Sequence, residues 1–122
     1  MSSIAPAGWH VITPRLFVND TEKMVRFLKR TFDATGSVEA DRPSVISIGD
    51  SMLMVSDAQV RGAGTAFLYV YVADVDATYA RAIAEGATSM EAPQVMPYGD
   101  RRAMVRDPWG NTWQIATRSE LL

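Results

Sequence analysis

Apolar and polar residues alternate along much of this chain, and two stretches break that alternation with a helical spacing. "VITPRLFV" (residues 11–18) is β-branched and aromatic and predicts a strand, with Pro14 marking an edge or a bulge. "NDTEKMVRFLKRTF" (19–32) predicts a helix capped by Asn19 or Asp20, because Met24, Phe27, Leu28 and Thr31 then fall on one face. "ATGSVEADR" (34–42) predicts an edge strand. "SVISIGDSMLMVSD" (44–57) predicts a hairpin turning at Gly49-Asp50. Residues 1–8 are small and unpatterned and predict a loose start; "VRGAGTA" (60–66) predicts a linker.

Beyond that linker the pattern restarts. "AFLYVYVADVDATYARAIAEGAT" predicts a strand, a helix capped by Asp74 and a stop at Gly86. "SMEAPQVMPYGDRRAMVRDPWGNTWQIATR" predicts strands separated by turns at 97–100 and 108–111. Each half therefore reads strand, helix, three strands, with Val18 matching Val72 and Asp20 matching Asp74. A β-α-β-β-β unit cannot close its own sheet, whereas two copies side by side can form a half-open barrel. The expected class is α+β, one domain over residues 1–122, with module one at about 10–60 and module two at about 65–118.

Composition narrows the function classes. The 122 residues carry 12 basic and 14 acidic side chains, a net charge of -2, with no block of like charge, which argues against nucleic acid or an anionic membrane as partner. No run is apolar enough to span a bilayer and no leader is evident, so a cytoplasmic location is expected. The absence of cysteine excludes disulfides, thiolate catalysis and thiolate-ligated metals. No phosphate-loop spacing is present, and Ser51 has no histidine placed to activate it.

Three segments, "FVND" before the first helix, "VADVDATYARAIAEGA" and "RDPWGNTWQI", resemble the vicinal oxygen chelate superfamily of glyoxalases, bleomycin-binding proteins and extradiol dioxygenases, over roughly residues 10–118. The likeness is strongest to bacterial members with "TP-x-L" in the first strand and "PYGDR" before "RDP-x-G". It implies a cup-shaped mixed sheet and a homodimer, sometimes with modules exchanged between chains. Enzymes of that superfamily hold a divalent metal in the cup through His or Glu on the first, fourth, fifth and eighth strands. Carried over, those positions fall on Thr13, Met54, Phe67 and Gln114. A hydroxyl, a thioether, a phenyl ring and an amide make a poor set for such an ion. No metal and no cofactor are therefore expected, nor lactoylglutathione isomerisation or extradiol ring cleavage.

Side-chain alternation says what occupies the cup instead. On the parity of the old metal positions lie Thr13, Arg15 and Phe17 of the first strand and Met52, Met54 and Ser56 of the fourth. Phe67, Tyr69 and Tyr71 follow on the fifth, and Thr112, Gln114 and Ala116 on the last. The opposite parity is uniformly apolar (Leu16, Val18, Leu53, Val55, Leu68, Val70, Trp113, Ile115), as a face packed under helices should be. Arg102, Met104 and Arg106 fall on the cup side or its rim. Rings, thioethers, two phenols, an amide and a guanidinium suit a flat, partly polar organic molecule. The expected ligand-binding residues are thus Thr13, Arg15, Phe17, Met52, Met54, Phe67, Tyr69, Tyr71, Arg102, Met104 and Gln114, with Trp109 walling a pocket or meeting a dimer partner.

The leading expectation is metal-independent sequestration of a small aromatic or heteroaromatic compound, such as an antibiotic, by a cytoplasmic homodimer with no catalytic residue. Two alternatives stay open. One is an enzyme of that superfamily, either holding a metal elsewhere or doing metal-free isomerase or lyase chemistry with His10, Tyr69 or Tyr71 as acid or base; the other is a subunit-like interaction protein whose cup is filled by its own side chains.

Overall fold

Two aspartates start the two long helices, and the strands follow from where those helices end. In the computed structural model, which describes residues 5–62 and 64–122, the Asp20 carboxylate accepts from the Lys23 amide and the Asp74 carboxylate from the Ala77 amide. Each satisfies an amide that a helix N-terminus leaves without a partner. The matched Asp20 and Asp74 of the sequence repeat are thus equivalent capping residues. The chain forms two compact units, one ending at Gly64 and one starting at Thr65, with Arg30–Phe32 belonging to the second.

The first unit runs β1 (Arg15–Val18), α1 (Thr21–Phe32), β2 (Thr35–Gly36), β3 (Ser44–Ile48), β4 (Ser51–Asp57) and the short α2 (Ala58–Arg61). Its sheet has the order β1-β4-β3-β2, with β1 parallel to β4 and the other pairs antiparallel. Leu16, Val18, Ile46, Leu53 and Val55 are buried on one face, and Met24, Val25, Phe27 and Leu28 are buried along α1. Gly36 lies at φ +130° with the Val45 carbonyl oxygen 2.5 Å from where a Cβ would stand, so β2 needs glycine there.

The second unit repeats the plan: β5 (Phe67–Tyr71), α3 (Val75–Ala84), β6 (Thr88–Val95), β7 (Arg101–Arg106), β8 (Thr112–Thr117) and a closing 3-10 turn at Ser119–Leu121. Sheet order is β5-β8-β7-β6, again with one parallel pair, β5 with β8. Ala103, Val105, Trp113 and Ile115 are buried, and the Phe32 ring lies 4.9 Å from that of Trp113. The Val75 amide donates to Thr117 Oγ1 at 2.8 Å, tying the start of α3 to the end of β8.

Three expectations are corrected. The first strand is shorter than residues 11–18: β1 begins after Pro14, which lacks an amide proton for a ladder, and the Pro14 carbonyl accepts from Met54 N at 3.0 Å. Thr13 therefore precedes the strand instead of lying in it. The expected linker starts inside α2, which Asp57 caps, its side chain accepting from Gln59 N at 2.8 Å. The expected strand over 34–42 contracts to Thr35–Gly36, at the edge of its sheet. The loose start lies partly outside the described residues, as does position 63 of the linker. No helix among the described residues is long and apolar enough to cross a membrane.

Candidate functional site

In the second unit one face of the sheet is core and the other is open. Register places the open-face residues in three rows across β5, β8 and β7: Phe67, Thr112 and Arg106; Tyr69, Gln114 and Met104; Tyr71, Ala116 and Arg102. The parity expected from the sequence is the parity observed, because Trp113, Ile115, Ala103 and Val105 are all buried on the other side. Phe67 and Tyr71 are each 64% exposed and Tyr69 38%, whereas Thr112 and Ala116 between the strands are covered. A large aromatic row on a sheet face is thus left in solvent within this chain. The Tyr69 and Tyr71 rings are tilted against each other with centroids 5.2 Å apart.

The Phe67 end of the face opens into a shallow depression of about 440 Å³, lined by Thr65, Ala66, Phe67, Arg106, Gly110 and Thr112. Its floor is fixed by the "DPWGN" turn. The buried Asp107 carboxylate accepts from the amides of Trp109 and Asn111 at 2.9 Å, from Asn111 Nδ2 at 3.0 Å and from Trp113 Nε1 at 2.9 Å. Asn111 in turn accepts from Ala66 N at 2.9 Å, and the Thr112 amide donates to the Ala66 carbonyl at 2.8 Å. This signature is a lock that joins the β7–β8 turn to the entry of β5. Half-buried Trp109 belongs to that turn.

The opposite end of the face is polar. The Tyr69 hydroxyl donates to Asp100 Oδ2 at 2.9 Å and lies 3.2 Å from the Tyr98 hydroxyl. Burial, then the bonds to Tyr98 and Asp100, push the Tyr69 phenol well above its ordinary range. The Asp100 charge raises that of Tyr71 as well. Both phenols stay protonated at neutral pH, so they serve as hydrogen-bond donors and are poor bases. Arg102, largely buried, donates through Nη2 to Glu91 Oε1 at 2.7 Å, while its Nε has no hydrogen-bond partner. The sequence pattern does not point to Tyr98, and it offers Asp100 only as one of several carboxylates (with Glu39, Asp41 and Glu91) that no spacing brings together. The "PYGDR" motif was visible, but a turn has no periodicity from which to read where its side chains reach.

The first unit has an open face of its own. Arg15 pairs in register with Met54, Phe17 with Ser56, and Ser47 with Met52. Arg15 Nε donates to Ser56 Oγ at 3.0 Å, and its guanidinium carbon lies 4.9 Å from the Phe17 ring centroid, within cation–π range. Phe17, Met52 and Met54 are half-buried. His10 stands in the exposed segment before β1, its Nε2 3.6 Å from the Asp50 carboxylate.

The positions that carry a metal in related enzymes do not fit one here. Met54, Phe67 and Gln114 stand on β4, β5 and β8, and Thr13 before β1. They offer a thioether, a ring, an amide and a hydroxyl, with no anionic or imidazole donor. Among the described residues no group of three or more His, Asp or Glu side chains is arranged to hold an ion.

Comparison with known proteins agrees with this architecture. A protein of Mycobacterium bovis is 26% identical over 122 residues, covering 85% of this chain and 80% of its own. Among solved structures, TioX from Micromonospora sp. ML1 superposes with a TM-score of 0.75 at 25% identity, over 88% of this chain and 97% of TioX. TnmS3, an antibiotic binding protein from Streptomyces sp. CB03234, superposes with a TM-score of 0.73 at 24% identity, over 98% of this chain and 100% of TnmS3. A sequence model of the glyoxalase/bleomycin resistance protein/dioxygenase superfamily matches residues 9–115. With the paired β-α-β-β-β units and the "DPWGN" lock in place, the chain belongs to the glyoxalase/bleomycin resistance protein/dioxygenase superfamily.

Proposed function

We propose that this protein binds and sequesters a small aromatic or heteroaromatic compound, such as an antibiotic, without a metal ion and without chemistry. The observation that carries this reading is the row of Phe67, Tyr69 and Tyr71 on the open face of the second sheet, two of them 64% exposed. Planar rings stack on such side chains, and each good ring pair contributes about 0.5–1.5 kcal/mol beyond the area it buries. Met104 beside the row adapts to ring edges, and the Gln114 amide supplies orientation. On the other open face, Arg15, Phe17, Met52 and Met54 repeat the same chemistry. Half-buried Thr13, before β1, and half-buried Trp109, in the β7–β8 turn, complete the proposed set.

Sequestration lowers free ligand by mass action, so affinity and protein concentration suffice for resistance. TnmS3, which shares the fold, is an antibiotic binding protein; support for the same role here comes from the aromatic face. We place the protein in the cytoplasm as a homodimer, whose mass is read by analytical ultracentrifugation. Tryptophan fluorescence titrated with a panel of planar antibiotics tests the binding. Saturable quenching supports the reading; a flat response to every compound removes it.

A further inference from the structure

One carboxylate of the second unit is placed in a way that sequestration of a neutral ring leaves unexplained. Asp100 ends the turn before β7, is only 9% exposed, and has no cationic side chain within ion-pair distance among the described residues. The neighbouring cations pair with other carboxylates: Arg101 makes a two-pronged pair with Asp76 at 2.8 and 3.0 Å, and Arg102 pairs with Glu91 at 2.7 Å while its guanidinium also reaches the Tyr98 side chain. The neutral Tyr69 hydroxyl meets one oxygen of Asp100 at 2.9 Å. A covered carboxylate without a counter-ion is costly, and proteins keep such groups where a ligand supplies the charge.

The surroundings specify the counter-ion. Tyr69 and Tyr98 meet through their hydroxyls beside Asp100, and the Tyr71 ring packs on Tyr69 at 5.2 Å. Tyr71 and Tyr98 are 64% and 59% exposed, so their rings are accessible. The electron-rich faces of such rings attract organic cations, and a carboxylate among them adds a charge-assisted hydrogen bond for an N–H donor. A bare metal ion would lack the ligands for its coordination shell. A protonated amine needs only one or two acceptors and an apolar wall.

We propose that Asp100 with Tyr69, Tyr71 and Tyr98 forms a subsite for a protonated amine, so that the sequestered aromatic compound is one that carries a basic nitrogen. This rests on the sequestration reading and narrows its ligand class. The aromatic body lies along the Phe67–Tyr69 row, and an N–H of the protonated, cationic base turns toward Asp100.

Two planar tricyclic probes test this at slightly alkaline pH: 9-aminoacridine, which is cationic, and acridine, which is neutral. Fluorescence titration of the full chain is expected to give about tenfold or tighter binding of the cation. Asp100→Asn, which keeps size and hydrogen bonding, is expected to bring the cation down to the level of acridine. Equal affinities in the unaltered protein overturn the amine subsite but leave sequestration standing. A cation preference that survives Asp100→Asn also overturns it. Binding of neither probe removes both. The comparison of probes in the unaltered protein decides the question even where Asp100→Asn fails to fold.

Discussion

The Asp107 carboxylate holds the indole Nε1–H of Trp113 at 2.9 Å, joining a surface turn to the most deeply buried ring of the second unit. The same carboxylate serves two turn amides and Asn111. Asp107→Ala leaves several buried donors without acceptors and is expected to cost about 3 kcal/mol or more. Urea unfolding measures it; a loss below about 1 kcal/mol would show the turn to be ornamental.

Gly36 and Gly49 separate conformational from steric demands. Both have positive φ, but a Cβ at Gly49 meets nothing, while at Gly36 it meets the Val45 carbonyl at 2.5 Å and Ile46 Cα at 3.2 Å. Gly49→Ala is expected to cost about 1–2 kcal/mol, the left-handed penalty alone. Gly36→Ala is expected to cost about 3 kcal/mol, since backbone must also move. Equal losses in thermal melts would contradict the close approach at β2.

The raised phenols make stability fall in alkali. A tyrosine whose folded pKa lies above its ordinary value of about 10 contributes fully below that value, and the contribution is lost as pH rises. Unfolding then releases a proton that the folded chain retains. Between roughly pH 9 and 11 the protein should lose stability more steeply than Tyr69→Phe, as read by urea midpoints. Parallel curves would mean that the Tyr69–Asp100 bond seen at 2.9 Å does not persist in solution.

Phe67 is 64% exposed and bears little of the fold, yet it heads the aromatic row. Phe67→Ala should change stability by no more than about 0.5 kcal/mol while raising the Kd for an aromatic ligand about tenfold. An unchanged Kd with an intact circular dichroism spectrum would remove Phe67 from the binding face.

The two faces of each sheet were legible in the sequence because one face must be apolar throughout to pack. Trp113 and Ile115 against Gln114 is the clearest case, and the paired caps Asp20 and Asp74 are another. What was not legible depends on long-range geometry. Thr13 lies outside β1 because Pro14 delays the pairing, a boundary that β-propensity alone does not show. Ala58–Arg61 forms a helix that runs into the first two residues of the expected linker because Asp57 caps it. Tyr98 and Asp100 reach the Tyr69 hydroxyl from a turn 29 and 31 residues away, and no local pattern encodes that meeting.

The most direct test of metal-independent sequestration is a tryptophan-quenching titration of chelator-treated protein with planar heteroaromatic antibiotics. Saturable binding at micromolar Kd or tighter is expected, identical with and without added divalent ions, with the compound recovered unaltered. Binding that appears only when a divalent ion is restored, or a compound released chemically changed, would contradict metal-independent sequestration.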